Sequence, residues 1–415
     1  MTVTDRRADG EGHRPAAGQG REANCFDFLR LMAALCVVVQ HAVAHLDTSF
    51  LWYRADNGLW FGDGVAMFFV ISGAMVYASA ERCHQDGRPW RDYLRNRLLR
   101  IAPALYVYTA VALLFLLTAG IVSFSALADP HVLAWLASGL LFMPVYHPAA
   151  FQGFGVGVLN GSLWTIPAEV SYYLVVPGLV LLAARRSFGT MMLLTATIGT
   201  MGAALYGLAG GSGSESLLAK LLAASLLPWL GFFLLGMWWR RVWHRVPQSG
   251  ALAVVALVLY LGCAMWRHSV GPGMGVAVAL IAGLPLSYLV FWVGHRGPRV
   301  LRRATDRLGD LSFGTYIWHM PVVNLLIWLG AIEGPLRGTP LILLVIALTI
   351  VCALFSWHFV EKPALRLKRY SSRPDSFGGP GRADYLHGPN ANRLPLVRSG
   401  TRTRVRIDGG RRRLR

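Results

Sequence analysis

Asp27, Arg30, His41 and His45 punctuate an otherwise apolar stretch, NCFDFLRLMAALCVVVQHAVAHL, that runs from Asn24 to Leu46. Read as a helix, the eleven steps from Arg30 to His41 bring the chain back to nearly the same face, with the two residues about 16 Å apart at 1.5 Å per residue. One side of a single helix thus presents a guanidinium near one end and an imidazole near the other. Ionisable groups at mid-bilayer cost at least about 2.5–3.5 kcal/mol each, so they normally face a bundle interior or a water-filled cavity. An imidazole in such a place can serve as general base or as nucleophile. The alternatives are a packing histidine bonded to a neighbouring carbonyl and, for Arg30, a snorkelling anchor at the membrane surface.

Four further places break the apolar pattern. In GVAMFFVISGAMV, Ser72 and Gly73 interrupt a Phe/Val-rich run; Gly73 allows close helix approach, and Ser72 can bond a backbone carbonyl or a ligand. In YLRNRLLRIAP, Arg97 and Arg100 are three apart, hence neighbours on one helix face, and their planar forks suit phosphate oxygens. In SLWTIPAEVSYY, Glu169 lies inside a span behind Trp164; a carboxylate there is neutral, paired, or orients a histidine. Finally, LGDLSFGTYIWHMP carries His319, open to a core or a site role, and SWHFVEKP places Glu361 beside Lys362 in what reads as a capped helix end.

The elements that must position these residues are membrane helices. With 54% hydrophobic and 15% charged residues over 415, the chain is too apolar for a soluble domain and long enough for many spans. The expected fold is all-α, a polytopic bundle of about ten spans near residues 26–46, 62–80, 101–121, 163–184, 190–209, 219–239, 251–266, 273–293, 311–330 and 340–360. A net charge of +19 is no sign of nucleic acid here, because the arginines sit in short loops and a tail, the positive-inside pattern. Those basic loops share one side only if residues 131–146 do not cross, so 131–162 is read as a re-entrant or interfacial element on the outer side. Residues 1–23, polar and Gly/Arg-rich, and 366–415, polar and basic, have the compositions of disordered cytoplasmic segments. The tail is a candidate for contact with anionic lipid, or a solvated tail without a partner. The five cysteines show neither a disulfide framework nor metal-ligand spacing, and no internal repeat of the transporter kind is present.

In their order along the chain, FDFLR…H, GVAMFFVISG, RNRLLRIAP, SLWTIPAEVSYY, LSFGTYIWHMP and SWHFVEKP resemble the acyltransferase family 3 of integral membrane O-acyltransferases. The resemblance covers residues 24–365. It implies ten core helices and transfer of an acyl group, commonly acetyl, from cytoplasmic acyl-CoA to a hydroxyl of an exported carbohydrate or, in some members, of a macrolide-like metabolite. It also implies essential roles for Arg30 and His41, and matches Arg97 and Arg100, Ser72 and Gly73, and Glu169 to family positions. Ala66 and Met67 depart from the family, which often has a polar or bulkier residue there. No hydrolase-like domain is fused, so the stand-alone membrane form is expected.

The site expected from both readings has His41 and Glu169 as catalytic residues, Arg30, Arg97 and Arg100 as holders of the acyl-CoA phosphates, and Ser72, Trp164 and His319 near the acceptor. Glu169 is expected to orient the imidazole of His41, as a carboxylate does in a triad. No metal is expected. The location implied is the cell membrane with both termini cytoplasmic. A proton-coupled carrier using His41, Glu169 and His319 is the competing class.

Overall fold

The computed structural model describes residues 24–54, 62–210, 216–270 and 272–368. The segment 1–23 and the tail from residue 369 onward, both expected to be disordered, lie outside the described residues.

Helices carry the architecture, in chain order α1 (Phe26–His45), α2 (Gly64–Gln85), α3 (Trp90–Thr118), α4 (Pro130–Leu140), α5 (Thr165–Arg185), α6 (Phe188–Leu208), α7 (Leu217–Ala223), α8 (Leu230–Val242), α9 (Gly250–Ser269), α10 (Pro272–Arg296), α11 (Arg299–Leu308), α12 (Ser312–Trp328) and α13 (Thr339–Ser356). Eight helices among the described residues are long and apolar enough to cross a membrane. The chain is therefore a helical membrane bundle, as its composition requires. Each of the ten expected stretches carries helix, with two departures in length. The stretch expected at 219–239 is broken into α7 and α8 around Pro228, which cannot donate a backbone N–H. The other, α12, has only 17 residues and packs between α1 and α13.

Two kinds of contact set the helix arrangement. The side chains of Val254, Val258 and Met265 on α9 are exposed and apolar, a surface suited to lipid. Inside, small residues let backbones meet: a Cβ on Gly73 of α2 would lie 2.0 Å from the carbonyl oxygen of Phe233 on α8, and one on Gly236 of α8 would lie 1.9 Å from that of Val70. The interruption at Gly73 is thus a helix-crossing point. The helix α1 packs against α2, α10, α12 and α13, which makes it an inner element of the bundle.

The stretch expected to be re-entrant, 131–162, consists of α4, short 3-10 turns and irregular chain. Backbone of this kind at depth must find hydrogen-bond partners within the protein. Asn324 of α12 supplies them, accepting from the Val156 N–H at 2.9 Å and donating to the carbonyls of Val158 and Leu159 at 3.0 Å each. Gly155 is required where this loop meets α12, since a Cβ there would lie 2.1 Å from the Asn324 amide oxygen. In return, Asn160 donates to the Ile317 carbonyl at 2.9 Å. That carbonyl lies four residues before Pro321, which has no N–H to give it.

Candidate active site

The arginines of α1 and α3 converge; the spacing of Arg97 and Arg100 accounts for their shared face, and the tertiary fold brings Arg30 to them. Arg30, Arg97 and Arg100 line one cavity of about 820 Å³, its mouth included, together with Ser72, Glu169, Tyr173 and Tyr316. Sequence reasoning missed their counter-charge. Asp310, in the turn between α11 and α12, forms ion pairs with Arg100 and with Arg30, the latter at 3.5 Å. Gly309 makes that turn possible: its φ of +87° lies in the left-handed region, and a Cβ would strike the indole of Trp357. Burial opposes ionisation of Asp310. The guanidiniums of Arg100 and Arg30 and the hydrogen bonds from Ser312 and Arg100 outweigh it and hold the carboxyl well below the usual carboxylate range.

Arg97 differs from its neighbours in that no carboxylate pairs with it among the described residues. Its guanidinium lies 5.9 Å from the centroid of the Tyr93 ring, and its Nε, like that of Arg100, is buried with no hydrogen-bond partner. Lys368 adds a further cation to the group, and burial, together with the Arg100, Arg97 and Arg30 charges, pushes its amine down to about 7.

Glu361 corrects the expectation of a capped helix end. It is 4% exposed, ends a π-helical turn that continues α13, and accepts from the Ser356 hydroxyl at 2.8 Å. It interacts electrostatically with Arg100. Its position inside the bundle, on the side of the arginines, comes from that turn and could not be read from the neighbouring lysine.

The expected Glu169–His41 contact is replaced by two separate arrangements. Glu169 accepts a hydrogen bond from Tyr173, one helical turn on, at 2.5 Å. His41 instead meets His319 of α12, Nδ1 to Nε2 at 3.1 Å, with the same Nδ1 3.1 Å from the Val37 carbonyl. His45 stacks on His41 at 6.0 Å between ring centroids. Neither His41 nor His319 lines the cavity, but Tyr316 joins the two regions. Its ring faces the cavity and packs on Phe68, its hydroxyl bonds Thr165 and the Ser162 carbonyl, and its own carbonyl holds His319 Nδ1 at 2.7 Å. Trp164 stands apart from the cavity, against Trp229 at 5.1 Å.

Residues 24–360 match the family described as "Acyltransferase domain". The chain belongs to this acyltransferase family. Among curated relatives, the acyltransferase is 29% identical to "Nodulation protein 10" of Rhizobium leguminosarum bv. viciae, over 83% of this chain and 94% of the relative. It is 26% identical to the "O-acetyl transferase" of Shigella phage Sf6, over 82% and 96% respectively. To "Peptidoglycan O-acetyltransferase OatA" of Listeria monocytogenes it is 21% identical, over 81% of this chain and 55% of the relative, so it spans about half that protein's length. No solved structure is significantly similar to the chain. With its family and these relatives, the chain is a multi-pass membrane O-acyltransferase.

Proposed function

We propose that the acyltransferase moves an acyl group, acetyl in the simplest case, from cytoplasmic acyl-CoA to a hydroxyl of an exported or cell-surface carbohydrate. The observation that carries this reading is Arg97, a half-buried guanidinium on the cavity wall without a carboxylate, beside two arginines already paired with Asp310. A buried cation left unpaired is costly unless an anion completes it, and the phosphates of CoA are such anions. In this reading the basic end of the bundle faces the cytoplasm of a cell membrane and both termini lie there. The pantetheine arm extends past Ser72 and Tyr316 toward His41.

The imidazole of His41 takes the proton of the acceptor hydroxyl as its oxygen attacks the thioester carbonyl. The carbon–sulfur bond then breaks, and the proton passes to the departing thiolate, leaving an ester and free CoA thiol. The names of the relatives from the Shigella phage and Listeria, both O-acetyl transferases, support acetyl, and the second supports a glycan acceptor. Glu169, bonded to Tyr173 in the cavity wall, shapes the path of the donor.

The test is thiol release from acetyl-CoA by purified protein, with and without an extract of cell-envelope glycan, beside the His41→Ala variant. Acceptor-stimulated release that the variant lacks supports the reading. Near-normal acylation by folded His41→Ala would remove the histidine from the chemistry.

A further inference from the structure

The hydrogen bonds around His319 determine which nitrogen of His41 is basic. A carbonyl oxygen only accepts, so the 2.7 Å contact from His319 Nδ1 to the Tyr316 carbonyl puts a proton on that nitrogen. In a neutral ring, the other nitrogen, Nε2, then carries a lone pair. His41 Nδ1 faces this lone pair and the Val37 carbonyl, both acceptors and both at 3.1 Å. It must therefore be the donor, which leaves the lone pair of His41 on Nε2. The ring of His45 lies parallel to that of His41, with planes 4° and centroids 6.0 Å apart.

We infer that His319 is a positioning residue for the reaction: a neutral imidazole that fixes His41 with Nδ1 protonated and Nε2 basic, and that accepts from the imidazolium formed when Nε2 takes a proton. The relay runs from the Tyr316 carbonyl through His319 to His41, two elements that are 278 residues apart in sequence. It has the layout of a triad with the carboxylate replaced by a histidine backed by a peptide carbonyl. A neutral orienting group suits a site inside a bilayer, where a further fixed charge is costly. This inference rests on the proposed role of His41 as the base.

Two amides of different reach separate positioning from packing. In His319→Gln the amide oxygen reaches the place of Nε2 and can accept from His41 Nδ1; in His319→Asn it falls short, near the place of Nδ1. The isosteric His319→Phe removes the acceptor altogether. Steady-state transfer from acetyl-CoA should show kcat lowered about 10³-fold in His319→Phe, with KM for acetyl-CoA within about twofold. The Gln variant should exceed the Asn variant at least about tenfold in kcat at equal KM. Equal kcat for the Gln and Asn variants, both stabilised by CoA against heat, would overturn the inference while leaving the base role of His41 intact. Should His41→Ala itself retain transfer, the base role of His41 fails and the positioning role falls with it, while the acyl transfer stands.

Discussion

Asn160 donates its side-chain amide to the carbonyl of Ile317 at 2.9 Å, the carbonyl that Pro321 leaves without its helical donor. The pairing ties the irregular loop before α5 to the helix that carries His319. Substituting Asn160→Ala should cost about 1–3 kcal/mol, because a buried acceptor loses its partner. In a Pro321→Ala background, residue 321 regains an N–H, and the cost of removing Asn160 should shrink. A double-mutant cycle of thermal or denaturant stability checks this; additive losses would show that the two residues are independent.

Arg97 should reveal a conflict between stability and binding. Replacing the unpaired guanidinium in Arg97→Met removes a half-buried charge and should stabilise the ligand-free protein by about 1 kcal/mol. The same change should raise KM for acetyl-CoA more than tenfold with little effect on kcat. A variant that is less stable and binds CoA normally would contradict both halves.

Asp310 holds Arg30 and Arg100 in the absence of a ligand. Its neutralisation in Asp310→Asn leaves neighbouring cations unbalanced, and breaking such a buried pair costs about 3–5 kcal/mol. The ligand-free melting temperature should fall, and the stabilisation conferred by CoA should grow, since a competing anion is gone. Melting curves with and without CoA decide the matter: a smaller CoA-induced shift would show that the carboxylate assists binding.

Lys368 gives the site a pH dependence. Its amine is pushed down to about 7 by burial and by the three arginines, and a bound polyanion should raise it again. Donor binding then takes up a proton above pH 7. Affinity for CoA should be level below that value and fall as pH rises through it toward the raised pKa of the complex. Titration of CoA between pH 6 and 9 should show a slope that Lys368→Met flattens; an identical slope in the variant would assign it to another group.

Much of this arrangement is legible in the sequence. Ionisable residues are rare in apolar helices, so Arg30, His41, Arg97, Arg100 and Glu169 stand out, and helical spacing puts Arg97 and Arg100 on one face. The partners are harder to read, since Asp310 meets an arginine 210 positions away and His319 a histidine 278 positions away. No periodicity encodes such pairings. Asp310 and Glu361 also occupy helix ends, where acids have ordinary local explanations. Tyr173 was within reach: it lies four residues beyond Glu169, one turn along the same face. The break at Pro228 within the stretch 219–239 was equally visible as a residue that cannot complete a helix.

Asn324 has a consequence for how new specificities can arise. It clamps the backbone of residues 156–159, bonding peptide groups and no side chains there. Leu159 is anchored in the core, but the exposed Val156 and the half-buried Val158 can be exchanged while the loop's course is preserved by one amide on α12. The helix that fixes the loop also carries His319, so a variant loop inherits the register of the histidine pair without re-solving it. In the proposed arrangement, with the acceptor approaching from this loop's side, such a division would make that side evolvable by point substitution and leave the acyl-handling side unchanged. If the acceptor approaches this loop, saturation of positions 156 and 158 is therefore a more promising route to altered acceptor choice than any change on α1.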